Sequence, residues 1–120
     1  MKKNIIFLIF TMAFGFLSCD SNTYDEIQDD TVIVGEVTYE AQVKSIIDAN
    51  CVVCHSPGGL SAFRPLTNYL EVKEAFQETN LVSRIQRQNG EPGQMPQTGR
   101  MPQGKIDIII QWGSDGLLEN

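Results

Sequence analysis

The chain of 120 residues is poor in several residue types at once: it has one histidine, one tryptophan and three cysteines, and its 9 Lys and Arg are outnumbered by 15 Asp and Glu. The shortage of positive charge, a net −6, excludes the broad basic surface needed to hold a phosphate backbone, so no nucleic-acid partner is expected. With one histidine, multi-histidine metal centres are excluded and any imidazole chemistry must pass through His55. A four-ligand zinc site also lacks donors, because beyond Cys51, Cys54 and His55 the only further cysteine is Cys19. No internal repeat and no convincing strand pattern is visible. The longest apolar run, Ile5 to Leu17, is thirteen residues, where a membrane-crossing helix needs roughly 20. The length allows one small domain at most.

What is present begins with a targeting signal. Met-Lys-Lys-Asn precedes the apolar run, and Ser18 and Cys19 end it, which is the layout of a secretory signal peptide over residues 1–18. Phe16-Leu17-Ser18-Cys19 resembles the lipobox of bacterial lipoproteins, with Phe16 where leucine is usual. The resemblance implies a lipid on Cys19 and export to a bacterial membrane, on the periplasmic side or at the cell surface. Two or more acyl chains would anchor the protein stably, whereas one binds only marginally. Cleavage would remove Lys2 and Lys3 and no acid, making the mature chain more acidic still. Residues 19–36 carry Asp20, Asp25, Glu26, Asp29, Asp30 and Glu36 with no Lys or Arg, too polar to fold alone, and read as a tether. The run 31–34 could form a strand but has no evident partner.

The remaining domain, 37–120, is small enough that apolar burial barely exceeds chain entropy without an added staple. Its periodicity is all-α. Tyr39, Val43, Ile46 and Ile47 line one face of a first helix after an N-cap at Thr38, and that helix runs into Cys51. A second, capped by Thr67 or Asn68, presents Tyr69, Val72 and Phe76. A short third presents Leu81, Val82 and Ile85. Pro92, Pro96 and Pro102 forbid helix between Gly90 and Gly104. A last helix from about Lys105 places Ile106, Ile109, Ile110 and Leu117 on one face, with Ile108 and Trp112 beside them.

Cys51-Val52-Val53-Cys54-His55 is the C-x-x-C-H pattern of c-type haem attachment. Two thiols one turn apart can join the two vinyl groups of one porphyrin, and the adjacent imidazole can reach the iron from one face. One covalently bound haem c, with its iron, would also supply the apolar body the small core lacks. A thioredoxin-like redox pair would instead sit at a strand-to-helix turn, which this pattern does not offer. With no second histidine, the iron's other face calls for methionine. Met95 and Met101 are the candidates after the motif, and Met95 is favoured because Met101 lies so close to the last helix that helix packing would dictate its direction. Met101 then reads as an apolar plug. Arg84 and Arg64 are candidates for pairing with a haem propionate, since a guanidinium matches a carboxylate bidentately.

These pieces in order, with Gly59-Leu60, Leu66 to Tyr69, Met95-Pro96 followed by Gly99, and Ile106, Ile109, Trp112 and Gly116 at Ile-x-x-Ile-x-x-Trp-x-x-x-Gly spacing, resemble the class I c-type cytochromes over roughly residues 38–118. The resemblance implies a small helical fold wrapped around the haem, Met95 as distal ligand, and Tyr39 and Trp112 near a haem edge where the first and last helices cross; plain core aromatics fit these two equally well. Gly113 stands where a branched apolar residue is usual and Ser45 where proline is common, so the last helix is expected to pack less well and fray beyond Trp112. The implied function is one-electron transfer by a tethered carrier rather than an enzyme, with redox proteins bearing basic docking patches as partners and no small-molecule substrate. A haem enzyme or gas sensor with a displaceable Met95, and a fixed relay subunit of a larger complex, are the alternative readings.

If the haem supplies part of the interior, a Cys51→Ala/Cys54→Ala variant should have little helical circular dichroism and no cooperative melt. Native-like helicity with a sharp transition would contradict that dependence.

Overall fold

The computed structural model describes residue 33 and residues 35–120. The signal segment, Cys19 and the run 31–34 as a unit lie outside the described residues. Within them the chain folds as four helices and no strand. A π-helical turn at Tyr39–Val43 leads into α1, Lys44–Asn50; α2 spans Tyr69–Glu78, α3 Leu81–Gln86 and α4 Gln103–Ser114. The one extended pairing among the described residues is an isolated parallel bridge between Thr38 and Leu118.

Local chemistry explains the helix starts. Thr38 is extended and its side chain accepts from the Ala41 amide, while its own N–H donates to the Gln42 side chain at 2.9 Å. At α2 the cap is Asn68, whose Oδ1 accepts from the Glu71 amide at 3.1 Å; Thr67 precedes it and donates its N–H and hydroxyl to Glu71 Oε2 at 2.7 and 2.8 Å. Those two Thr67 bonds stabilise the ionised carboxylate and hold the Glu71 pKa below its ordinary value. Helix α4 begins at Gln103, two residues before the expected Lys105. Pro102, with φ −52°, occupies the N-cap and its carbonyl accepts from Lys105 and Ile106, so the proline that ends the loop also starts the helix.

The core is the expected set of apolar faces, with one exchange. Tyr39, Val43, Ile46 and Ile47 are buried, as are Val72, Ile85, Met101, Ile106 and Ile109. On α4 it is Trp112, fully buried, that completes the inner face, while Ile108 and Ile110 are only half-buried against it. Trp112 gathers three other rings: Tyr39 at 6.0 Å between centroids, Tyr69 at 6.4 Å and Phe76 edge-on at 5.8 Å. Its indole Nε1 donates to the Leu118 carbonyl at 2.8 Å, the Tyr69 hydroxyl donates to that of Leu117 at 2.9 Å, and the Tyr39 amide also donates to Leu118 at 2.9 Å. Asp115 completes the closure by accepting from the Val37 amide at 2.7 Å. The two ends of the folded unit are thus fastened to each other.

The expected fraying beyond Trp112 is not found. Helix α4 continues to Ser114 and closes in a Schellman motif, with Gly116 at φ +96°, its amide donating to Gly113 and that of Leu117 to Trp112. Gly113 is also the point at which the Phe76 ring lies against the helix backbone, where a Cβ would overlap the ring. Its missing side chain therefore serves packing. Gly113→Ala should gain about 1 kcal/mol of helix propensity yet lose about 1–3 kcal/mol to overpacking, giving net destabilisation in urea titration. In a Phe76→Ala background the same change should be neutral or stabilising, and equal effects in both backgrounds would remove the steric explanation.

Candidate functional site

The last turn of α1 delivers the C-x-x-C-H segment. The amides of Cys51 and Val52 still donate to the Ile47 carbonyl, at 2.8 and 3.2 Å, after which the chain turns so that the amides of Cys54 and His55 both donate to the Cys51 carbonyl, at 3.1 and 2.9 Å. Both thiols and the imidazole consequently belong to one tight turn at the end of a helix that buries Ile46 and Ile47. Cys51 and Cys54 are free thiols. Burial, with the thiol of Cys54 beside it, pushes Cys51 from its ordinary value of 9.0 up to about 11. Exchange of thiols and disulfides needs the opposite, a thiolate favoured near neutral pH, which the Cys51 thiol does not offer.

The following segment folds back over the turn. Ser61 N–H donates to the Cys54 carbonyl at 2.9 Å and Leu66 N–H to that of His55 at 2.8 Å. His55 Nδ1 is 2.7 Å from the Arg64 carbonyl oxygen. A carbonyl can only accept, so Nδ1 carries a proton and the lone pair of the neutral ring is on Nε2, with the ring direction fixed. Gly59 makes the fold-back possible, because a Cβ at that position would collide with the Cys54 carbonyl. Among the described residues, three of the five exposed large apolar ones lie between Cys51 and Leu66: Val53 at 78%, Leu60 at 90% and Phe63 at 85% exposure.

Met95 sits in the loop between α3 and α4, half-buried, with its amide donating to the Arg84 carbonyl at 3.1 Å. The loop is ordered by side chains. The guanidinium of Arg87 donates to the Pro92 carbonyl, Gly90 and Gly93 turn at positive φ, and Gln94 is buried with three hydrogen bonds of its own. Met101 is in the apolar core, in keeping with a plug. Arg84 directs its Nε to Asn80 Oδ1 at 2.8 Å, and Arg64 pairs with Glu74 at 3.7 Å while its carbonyl receives His55. Tyr39 and Trp112 lie together in the aromatic core, and the Tyr39 hydroxyl is buried without a hydrogen-bond partner.

The structure thus joins Cys51, Cys54 and His55 in one turn and ties Met95 to Arg84 through the backbone. Sequence reasoning singled out Gly59 without its steric role and missed the Arg64 carbonyl and Gln94. The carbonyl is a main-chain group with no side-chain signal, and Gln94 becomes informative only once the loop path is known. Among the described residues no group of three or more His, Cys, Asp or Glu is placed to hold a metal ion, and no helix is long and apolar enough to cross a membrane. No family model matches the chain, and no curated protein and no solved structure matches it either.

If Gly59 is what lets the loop close on the motif, Gly59→Ala should lower stability by about 1–3 kcal/mol. It should also speed hydrogen exchange at the Ser61 and Leu66 amides, while Ser56→Ala leaves both unchanged. Wild-type protection in Gly59→Ala would refute the role.

Proposed function

We infer that the protein is a mono-haem c-type cytochrome that transfers single electrons, built on a small cytochrome c-like helical fold. The observation that carries this reading is the 2.7 Å contact between His55 Nδ1 and the Arg64 carbonyl, one turn from two free thiols. It directs one imidazole nitrogen away from the Arg64 carbonyl in the turn that holds two cysteines at the C-x-x-C-H spacing of c-type haem attachment. The residues fit a haem on three further counts. Cys51 is a neutral, half-buried thiol unsuited to disulfide exchange, Val53, Leu60 and Phe63 offer apolar surface beside the motif, and among the described residues the side chains alone form no group of three His, Cys, Asp or Glu placed to hold a metal without a macrocycle.

Cys51 and Cys54 would hold the haem covalently, and His55 Nε2 and the Met95 sulfur would hold its iron. Bound in this way, haem supplies reversible one-electron exchange at its iron. The contributions of the chain are fixed direction and closed coordination. The Arg64 carbonyl holds the imidazole in one tautomer and one orientation, and the braced loop between α3 and α4 favours a held Met95 over a displaceable one. That bracing supports a carrier over an enzyme or sensor. A thioether ligand favours the reduced iron and so a higher potential. The contact of the first helical turn with Trp112 matches the crossing of first and last helices that the resemblance implies. A lipid on Cys19 and the acidic linker to residue 36 would tether the domain to a membrane and leave it a roaming reach, with basic-faced redox proteins as partners.

The purified protein should have the reduced bands of covalently attached low-spin haem, unchanged by carbon monoxide, and Met95→Ala should bind carbon monoxide at once while Met101→Leu does not. A wild-type spectrum without haem would end the reading, and a carbon monoxide shift in wild type would favour an open-site enzyme or sensor.

A further inference from the structure

Gln94 is the one polar residue among the described residues that is buried along with the core, and it immediately precedes Met95. A buried carboxamide is tolerated when its donors and acceptor are satisfied, and here they are. Its Oε1 accepts from the Gly90 amide at 2.9 Å, and its Nε2 donates to Asn89 Oδ1 and to the Pro96 carbonyl, both at 3.1 Å. Asn89 Oδ1 accepts a second bond, from the Arg100 amide at 2.7 Å. Residues 89, 90, 96 and 100, on both sides of Met95, are therefore cross-linked through two side chains. The Met95 amide itself is fastened to α3 at Arg84.

We propose that Gln94 and Asn89 form a polar latch that fixes the Met95 backbone and so keeps its sulfur in place as the second iron ligand. The proposal rests on the reading of His55 and Met95 as the residues that hold the iron. Both latch residues are positioning residues, since neither is assigned a contact with the iron. The loop contains three glycines at positive φ, Gly90, Gly93 and Gly99, and glycine costs more conformational entropy to order than any other residue. Directional hydrogen bonds oppose that freedom where apolar burial is slight: Glu91, Pro92, Gly93, Gln97 and Thr98 are all exposed. In this arrangement Asn89 serves only as an acceptor. A carboxylate at that exposed position can replace it, whereas alanine cannot.

The test uses the exported, haem-loaded protein and carbon monoxide as the probe. Gln94→Leu and Asn89→Ala should take up carbon monoxide in the reduced state, where wild type stays inert, because the buried amide has lost a partner. They should also weaken the thioether-to-ferric absorption band, and Asn89→Asp should restore wild-type behaviour in both. Hydrogen exchange should accelerate at the Gly90 and Arg100 amides in Gln94→Leu with α1 and α4 unchanged. Should Gln94→Leu not fold, Asn89→Ala at its exposed position decides. A carbon monoxide-inert wild type whose Asn89→Ala variant is equally inert would overturn the latch alone, and so would exchange that rises throughout the helices instead of in the loop. A wild type without haem, or one that takes up carbon monoxide itself, would overturn the His55 and Met95 reading and the latch with it.

Discussion

The fold depends on the burial of Trp112. Its ring touches one aromatic from the first helical turn and two from α2, and its Nε1 takes the carbonyl of Leu118. Aromatic pairs at these separations add to the area they bury, and here they converge on one residue with a satisfied polar atom. Through Tyr39 the cluster sets the start of the first helix. The other end of that continuous helical segment, twelve residues from Tyr39 to Asn50, carries the cysteine and histidine turn. About 18 Å of helix at 1.5 Å per residue therefore separates the fastened ends of the folded unit from the site, and the aromatic cluster acts on the site only by fixing the direction of this helix.

Closure of the ends explains features that look wasteful in isolation. Leu117 has φ +59°, a left-handed conformation that a leucine adopts at a cost. It is retained because its amide completes the cap of α4, its carbonyl receives the Tyr69 hydroxyl and its side chain is buried. Gly113 likewise departs from the residue type expected in a helix interior, and contact with the Phe76 ring accounts for it.

What could be read in the sequence was what depends on near neighbours. The buried faces of all four helices, the caps at Thr38 and Asn68, and the common turn of Cys51, Cys54 and His55 follow from spacing, because i, i+3 and i+4 relations are fixed by helix geometry. The placement of Met101 in the core followed from its closeness to α4. The remaining features depend on where the chain returns to itself. The Arg64 carbonyl meets His55 only after a nine-residue loop, and no side chain announces a backbone acceptor. Gln94 in a stretch rich in Gln, Gly and Pro reads as an exposed loop residue until Asn89, Gly90 and Pro96 are brought around it. Gly113 misled for the same reason: helix propensity is local, and the ring it accommodates is 37 positions away.

These relations divide the molecule by type of interaction. Apolar burial is concentrated between the chain ends and the helix faces, where it supplies cohesion without direction. The two segments that carry or surround the candidate iron ligands, 54–66 and 87–101, contribute only Leu66, Gln94 and Met101 to the buried set. Hydrogen bonds to named backbone atoms fix the rest. A hydrophobic contact tolerates small rotations, whereas a 2.7 Å bond to one carbonyl selects a single ring orientation and a single tautomer. On the proposed reading, keeping two donor atoms in place through repeated oxidation and reduction would call for that directional restraint more than for added stability. Polar bracing of loops on an apolar helical frame provides the restraint while leaving the frame to hold the fold.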